Sequence, residues 1–287
     1  MTNLVDELVN LLDLETIELN LFRGESCDVG GRSVFGGQVI SQSLVAAYRT
    51  LEEQRQCHSL HAYFLRPGDI NTPIIYEVDR IRDGGSFTTR RVVAIQHGEA
   101  IFHMSASFHI VERGFEHQEV SIPDVPPPDD LETDHSLRLK TAARVSERVR
   151  PVLLQERPIE IRPVDPVDFL TPESKAPRKQ AWFRASSPLN DDQNLHQALL
   201  AYASDFGLLG TGMRPHGLSF LDPNLLAASL DHTLWFHHPL RMDEWMLYDM
   251  ESPCAMNARS FNRGQIYQNG KLVASVCQEG LMRQLKS

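Results

Sequence analysis

The stretches HAYFLRPGDINTPIIYEVDRIRDGGSFTTRRVVAIQHGEAIFHMSASF (61–108) and TLWFHHPLRMDEWMLYDMESPCAMNARSFNRGQIYQNGKLVASVCQEG (233–280) superpose without a gap, at an offset of 172 that carries residue 61 onto residue 233. Phe64 then meets Phe236, Pro67 meets Pro239, Tyr76 meets Tyr248, Arg91 meets Arg263 and Gly98 meets Gly270. The shared pattern says more than these identities. Both stretches read as an extended run, a turn, two long alternating runs, a glycine-centred turn and a further run. A chain built on such a repeat folds as two copies of one unit.

Each copy follows a helical segment rich in small residues, GGQVISQSLVAAYRTL (36–51) in the first half and DDQNLHQALLAYASDFGLL (191–209) in the second. PIIYEVDRI, FTTRRVVAI and AIFHMSASFHI carry β-branched and aromatic residues in partial alternation, while QHGEA and QNGKL are turns of hairpin type. Each half therefore predicts one long helix followed by an antiparallel meander, an α+β layer. Between the halves, HQEVSIPDVPPPDDLETD is rich in Pro and Asp and reads as an exposed linker, with a helical piece predicted over 134–150. The division expected is an N-terminal unit over 1–113, a linker over 114–150 and a C-terminal unit over 151–287.

A formal charge of −10, with no long basic run, argues against a nucleic-acid or anionic-membrane surface. Cys27, Cys57, Cys254 and Cys277 lie far apart and form no CxxC pair, as reduced thiols of a cytoplasmic protein do. The N-terminus is acidic and helix-periodic, unlike a signal peptide, and no apolar run approaches membrane-spanning length. The terminal LKS has the letters of the peroxisomal SKL address in another order. The sequence lacks a G-x-S-x-G elbow and a P-loop, and GLLGTG (207–212) follows a helix instead of opening one, so neither a serine hydrolase nor a dinucleotide site is expected. The histidines of HSLH, HGEAIFH and FHH lie on strand-like runs or turns without the carboxylate or cysteine company of a known site, so no metal and no cofactor are expected.

Asp205 is the residue that resists a structural explanation. It sits in LLAYASDFGLL (199–209) without a nearby cation, on the edge of a helical stripe formed by Leu195, Leu199, Tyr202 and Phe206. It also precedes Gly207, read as a helix C-cap, where the macrodipole disfavours negative charge. Two folding rules broken at one residue mark a candidate functional position. The structural alternative is an Asp bonded to a strand backbone or to an Arg such as Arg263.

The strings VFGGQVISQSL, LHAYFLRPGD, DGGSFTTRRVVAIQ, LAYASDFGLL, PHGLSFLDP, DHTLWFHHPLRMDEWMLY and SVCQEGLMR resemble the acyl-CoA thioesterase II family of bacteria and peroxisomes, nearly along the full chain. The resemblance implies a double hot-dog fold, two tandem units each with a helix wrapped by an antiparallel sheet. It also implies hydrolysis of fatty acyl-CoA to a free acid and CoA, and a homodimer or homotetramer. The family's catalytic Asp, Thr or Ser, and Gln fall on Asp205, on Ser229 in AASLDHTLW, and on Gln278 in QEG. Ser229 keeps the hydroxyl of the usual Thr and loses its methyl group.

Such a trio suits the chemistry. A thioester carbonyl is poorly resonance-stabilised, and a thiol of pKa about 8.5 leaves as a thiolate without much assistance. Positioning and activating one water then suffices, with Asp205 as base and Ser229 and Gln278 as holders. The helix start FGGQ, residues Gly36, Gly37 and Gln38, is the expected oxyanion donor. Arg66, Arg90, Arg91, Arg178, Lys179 and Arg263 are the candidates for the CoA phosphates. Residue 278 maps onto Ala106 at the 172 offset, so one site per chain is expected. Two rivals stand beside this reading. Asp191 and His196 have the spacing of hot-dog hydratases, although the Gly and Pro around that motif are missing, and a non-catalytic acyl-CoA binder would keep only the pocket.

Overall fold

The computed structural model describes residues 3–31, 33–52, 55–147 and 149–285. Lys286 and Ser287 of the LKS terminus lie outside them. The first half runs α1 (Leu4–Leu12), β1 (Glu15–Glu18), β2 (Leu21–Gly24), α2 (Gly36–Tyr48), β3 (Gln56–Phe64), β4 (Ile74–Asp83), β5 (Phe87–Gln96) and β6 (Glu99–His109). Two short helices follow, α3 (Asp134–Ala142) and α4 (Arg150–Leu154), in place of the single piece predicted over 134–150. The second half runs β7 (Ile159–Pro163), β8 (Arg178–Ala185), α5 (Gln193–Ala203), α6 (Leu208–Met213), β9 (Leu225–Ser229), β10 (Asp231–Phe236), β11 (Met246–Met256), β12 (Arg259–Gln268) and β13 (Lys271–Gln284).

These strands form one antiparallel sheet in the order β1-β2-β4-β5-β6-β3-β10-β13-β12-β11-β8-β7, with β9 added against β13. The order reads the same from either end once each strand is replaced by its repeat partner, as the α+β double hot-dog requires. At the junction of β3 and β10, His61 pairs with Thr233, and these residues are equivalent at the 172 offset. The pseudo-twofold axis therefore passes through that pair. The offset carries β4 onto 246–255 and β5 onto 259–268, the spans of β11 and β12. It fails for the helices, because the second half inserts α6 and β9 between its helix and its meander.

The strands bury alternate residues, as in the e-B-i-B-e-B pattern that opens β5, so one face of the sheet meets the helices. Against that face lie α2 and α5, packed on each other in opposite directions. Ser41 Oγ donates to Ala198 O at 2.9 Å, and Tyr48 O–H donates to Gln197 Oε1. Small residues permit this approach: a Cβ on Gly37 would stand 2.3 Å from Tyr202 O. Leu44, Leu60, Leu199, Leu200 and Ile266 are fully buried between helices and sheet, each worth roughly 1.5–3 kcal/mol over exposure. The N-terminal helix starts on Asn3, whose Oδ1 accepts from Val5 N–H at 3.0 Å, and it buries Val5, Leu8 and Leu12.

The Pro-rich connection is largely exposed yet strapped to the second half. Trp182 Nε1 donates to Pro126 O at 2.9 Å, Arg162 to Pro128 O at 2.7 Å, and Leu272 N–H to Gln118 Oε1 at 2.8 Å. No described helix is long and apolar enough to cross a membrane.

Candidate active site

Sequence periodicity places Asp205 on a helix through 209, but α5 ends at Ala203. Ser204 N–H still reaches Leu200 O at 2.8 Å, then Phe206 N–H tightens onto Ala203 O at 3.1 Å. Gly207 turns the chain at φ 81°, a left-handed conformation that glycine adopts without penalty. Asp205 thus stands in a tight turn between two helices. GLLGTG, expected only to trail a helix, also opens the six-residue α6. That helix packs on the sheet: a Cβ on Gly280 would lie 2.0 Å from Leu209 Cδ1, and one on Gly212 would lie 2.7 Å from Ser260 Oγ.

The partner of Asp205 comes from the other half of the chain. Its Oδ2 accepts from Gly37 N–H at 2.9 Å, in the first turn of α2, where Phe35 supplies no side-chain cap. The carboxylate at the unfavourable end of α5 therefore caps the favourable, positive end of α2. Its Oδ1 accepts from Gln278 Nε2 at 2.7 Å. The side chain is 7% exposed, so each of these charge-assisted bonds counts for roughly 1.5–3 kcal/mol. Together they offset a desolvation cost of several kcal/mol. Arg263 is not the partner; it pairs with Glu251 at 2.5 Å on the surface.

Gln278 is fully buried on β13, and its Oε1 has no hydrogen-bond partner. Asn262, its cross-strand partner on β12, is also fully buried with Oδ1 unpartnered. Ser229 lies on β9 opposite Gly280, two residues beyond Gln278, so its side chain shares that face of the sheet. Diagonal positions of this kind lie about 7–8 Å apart. Ser229 is half-buried and makes no direct side-chain hydrogen bond to Asp205 or Gln278 among the described residues.

Sequence reasoning missed His232 and Asn262. His232 is fully buried, with Nδ1 3.2 Å from Gln278 Nε2, Nε2 2.9 Å from Ser204 Oγ and Nδ1 4.0 Å from Asp205 Oδ1. Burial pushes its pKa below the ordinary histidine value, against the opposing pull of Asp205. The repeat offered the signal: the four positions His232, Asn262, Ser260 and Gln278 map at the same offset onto Leu60, Arg90, Thr88 and Ala106.

That comparison also corrects one assignment. Arg90 does not face solvent to meet a phosphate; it is 1% exposed. Its Nε donates to Thr50 Oγ1 at 2.8 Å, and its Nη2 to Asp83 at 2.6 Å and to Thr50 O at 3.2 Å. At the position of Asn262, the first half carries a structural guanidinium tied to Thr50, two residues past the end of α2. The backbone N–H of Gln38 is taken by Phe35 O at 3.1 Å, and its side-chain amide is bonded to Glu25 O and Cys27 N–H.

The other cations divide by place. Arg66 pairs with Glu99 at 3.1 Å, and Arg178 with Asp249 at 3.2 Å. Arg91 is exposed opposite Asp79 in β4. Lys179 reaches the turn that follows Asp205: a Cβ on Gly207 would stand 2.9 Å from its Nζ. Burial lowers the pKa of its ammonium group, with Asp134 pulling the other way. Lys179 also lines a cavity of about 360 Å³ with Lys175, Arg178, Arg214 and Asp165. Beside it Phe206 stacks on Phe35 at 4.6 Å, and the Arg157 guanidinium lies 5.3 Å from the Phe206 ring centre.

The hydratase pair does not assemble. The Asp191 side chain is 92% exposed and bonded to Arg241, while His196 is fully buried with Nδ1 accepting from Met242 N–H at 3.1 Å. Among the described residues no group of three or more His, Cys, Asp or Glu is placed to hold a metal ion.

Comparison with known proteins identifies the family. A family model described as acyl-CoA thioesterase matches residues 154–281, and one described as acyl-CoA thioesterase N-terminal domain matches residues 24–109. Acyl-CoA thioesterase 2 of Haemophilus influenzae is 41% identical over 99% of this chain and 99% of its own length. Acyl-coenzyme A thioesterase 8 of Homo sapiens is 39% identical over 96% of this chain and 88% of its own. The crystal structure of acyl-CoA thioesterase II TesB2 from Mycobacterium marinum superposes with a TM-score of 0.78 at 42% identity, covering 96% of this chain and 98% of that one. With both halves matched in order and the likeness running from end to end, the chain belongs to the acyl-CoA thioesterase family, whose members hydrolyse acyl-CoA thioesters.

Proposed function

We propose that this chain hydrolyses fatty acyl-CoA through one water held between Asp205, Gln278 and Ser229, at a single site per chain. The observation that carries the reading is the 2.7 Å bond from Gln278 Nε2 to Asp205 Oδ1 beside the start of α2, with Gln278 Oε1 buried and free to accept. The water donates one hydrogen to the Asp205 carboxylate and the other to Gln278 Oε1, and Ser229 Oγ completes its cage. As the water attacks the thioester carbon, Asp205 takes its proton. The carbonyl becomes an oxyanion, which collapses to free acid and CoA thiolate. Gly37 N–H is already bonded to Asp205, so the oxyanion donor within Gly36, Gly37 and Gln38 is Gly36 N–H, a first-turn amide. The CoA phosphates lie against Lys179 and the cavity it lines with Arg178.

The same reading gives a cytoplasmic homodimer or homotetramer, with units over 1–113 and 151–287 joined by 114–150. Release of thiol from short-, medium- and long-chain acyl-CoAs, by wild type and by Gln278→Ala and Ser229→Ala, tests it. The expected result is a loss of ten- to a thousandfold in kcat for Gln278→Ala and a smaller loss for Ser229→Ala. Wild-type turnover in both variants would remove the trio. Stoichiometric binding without turnover in the unaltered protein would favour the acyl-CoA binder.

A further inference from the structure

His232 has no role in the water cage described above, yet its surroundings leave it a single protonation state. The Asp205 carboxylate needs a donor at Oδ1, so the Gln278 amide presents nitrogen there; oxygen at 2.7 Å from a carboxylate would repel it. The same nitrogen stands 3.2 Å from His232 Nδ1. An amide nitrogen cannot accept, so Nδ1 carries no proton and accepts the second Gln278 hydrogen. A neutral imidazole then bears its proton on Nε2, 2.9 Å from Ser204 Oγ. Ser204 Oγ can accept it, because its own hydrogen goes to Ala201 O at 3.0 Å.

We infer that His232 is a positioning residue for the hydrolysis, whose bare Nδ1 fixes the Gln278 amide with nitrogen toward Asp205 and Oε1 toward the water. The inference rests on the reading of the site given above. All the bonds run in one direction. Nε2–H of His232 donates to Ser204, Gln278 donates to both His232 and Asp205, and the Gln278 carbonyl that the water needs is left unpartnered. A proton on Nδ1 would face an N–H, turn the amide over and set two oxygens against each other at Asp205. The groups packed around the ring are Asp205 from the α5–α6 turn, Gln278 from β13 and Ser204 from the end of α5; Tyr248 O–H is engaged elsewhere, with Ser204 O at 3.0 Å. In the first half the equivalent residue is Leu60, fully buried, and there no amide needs orienting because residue 106 is Ala.

The test compares three substitutions with a direct reading of the ring. His232→Leu copies the residue that the other half already buries at this place. His232→Asn keeps an acceptor where Nδ1 stands, and His232→Gln keeps a polar group only where Nε2 stands. Leu and Gln are expected to lower kcat about 10- to 100-fold with KM close to wild type, because the cage is misplaced while the substrate contacts remain. Asn is expected to recover most of that loss. In wild type labelled with nitrogen-15 histidine, the ring correlations absent from His232→Asn should show the Nε2–H tautomer at neutral pH. An Nδ1–H or doubly protonated ring, wild-type kcat in His232→Leu, or equal losses in all three variants would overturn the inference. Asp205→Asn run alongside separates the two claims. If it is inactive while His232→Leu is not, the site stands and the role of His232 falls. If Asp205→Asn turns over normally, both fall.

Discussion

Gly37→Ala tests whether Asp205 is held by the far half of the chain. The added Cβ would stand 2.3 Å from Tyr202 O and 2.5 Å from Phe35 Cε1. The first of these is backbone, which no rotamer change can move aside. Ordinary contact is about 3.5 Å, so α2 and α5 must separate by about 1 Å. The Gly37 N–Asp205 Oδ2 bond, 2.9 Å in the native site, would then pass beyond useful hydrogen-bond length. Overpacking of this kind costs about 1–3 kcal/mol, and the gain in helix propensity from Gly to Ala returns at most about 1 kcal/mol. The net expectation is a loss of up to about 2 kcal/mol in urea unfolding, with the denaturant slope unchanged. Displacing the carboxylate by about 1 Å lowers kcat by up to about 100-fold. Thiol release measured well below the unfolding midpoint separates the two effects. A variant as stable and as active as wild type would refute the contact between the halves as the anchor of Asp205.

Other consequences follow from the same geometry. Arg90→Leu is expected to destabilise the fold by about 2–4 kcal/mol in urea, because it removes the donor to the buried Thr50 O and the partner of Asp83, while leaving KM for acyl-CoA unchanged. Lys179→Ala should raise KM for acyl-CoA about tenfold with little change in kcat, whereas the same substrate truncated to its pantetheine thioester should show no such difference. His196 and His232 are both fully buried, and burial lowers both pKa values from an ordinary value near 6.5. The unfolded chain therefore binds protons that the folded one refuses, so stability is full above about pH 6.5 and falls as the pH drops toward 5. Urea midpoints measured from pH 7.5 to 5 should decline across that window; a flat profile would show that these rings are not held neutral.

The duplicated meander was legible because strand alternation and hairpin turns are local, and β11 and β12 fall where β4 and β5 project them. The helices were legible in kind but not in extent. Periodicity carried α5 through Asp205, and only the left-handed turn at Gly207, a tertiary necessity for seating α6 on Gly280, ends it at Ala203. Asp205 itself announced a conflict, an acid on an apolar helix end. Its resolution at the start of α2 is a contact between halves that no local pattern encodes. Arg90 shows the reverse limit. A lone arginine in an alternating strand looks like a surface charge, and nothing in FTTRRVVAI separates the buried Arg90 from the exposed Arg91 except which face each one takes. His232 and Asn262 look like ordinary strand residues until they are set against Leu60 and Arg90.

If Asp205 activates the attacking water, kcat should fall in Asp205→Asn, which keeps the shape of the side chain and removes the base. The protein is followed by thiol release from acyl-CoA alongside a urea melt. A loss of about a hundredfold or more in kcat, in a protein that still unfolds cooperatively, is the predicted result. Equal turnover in both proteins would make Asp205 no more than the cap of α2 and would remove it from the chemistry.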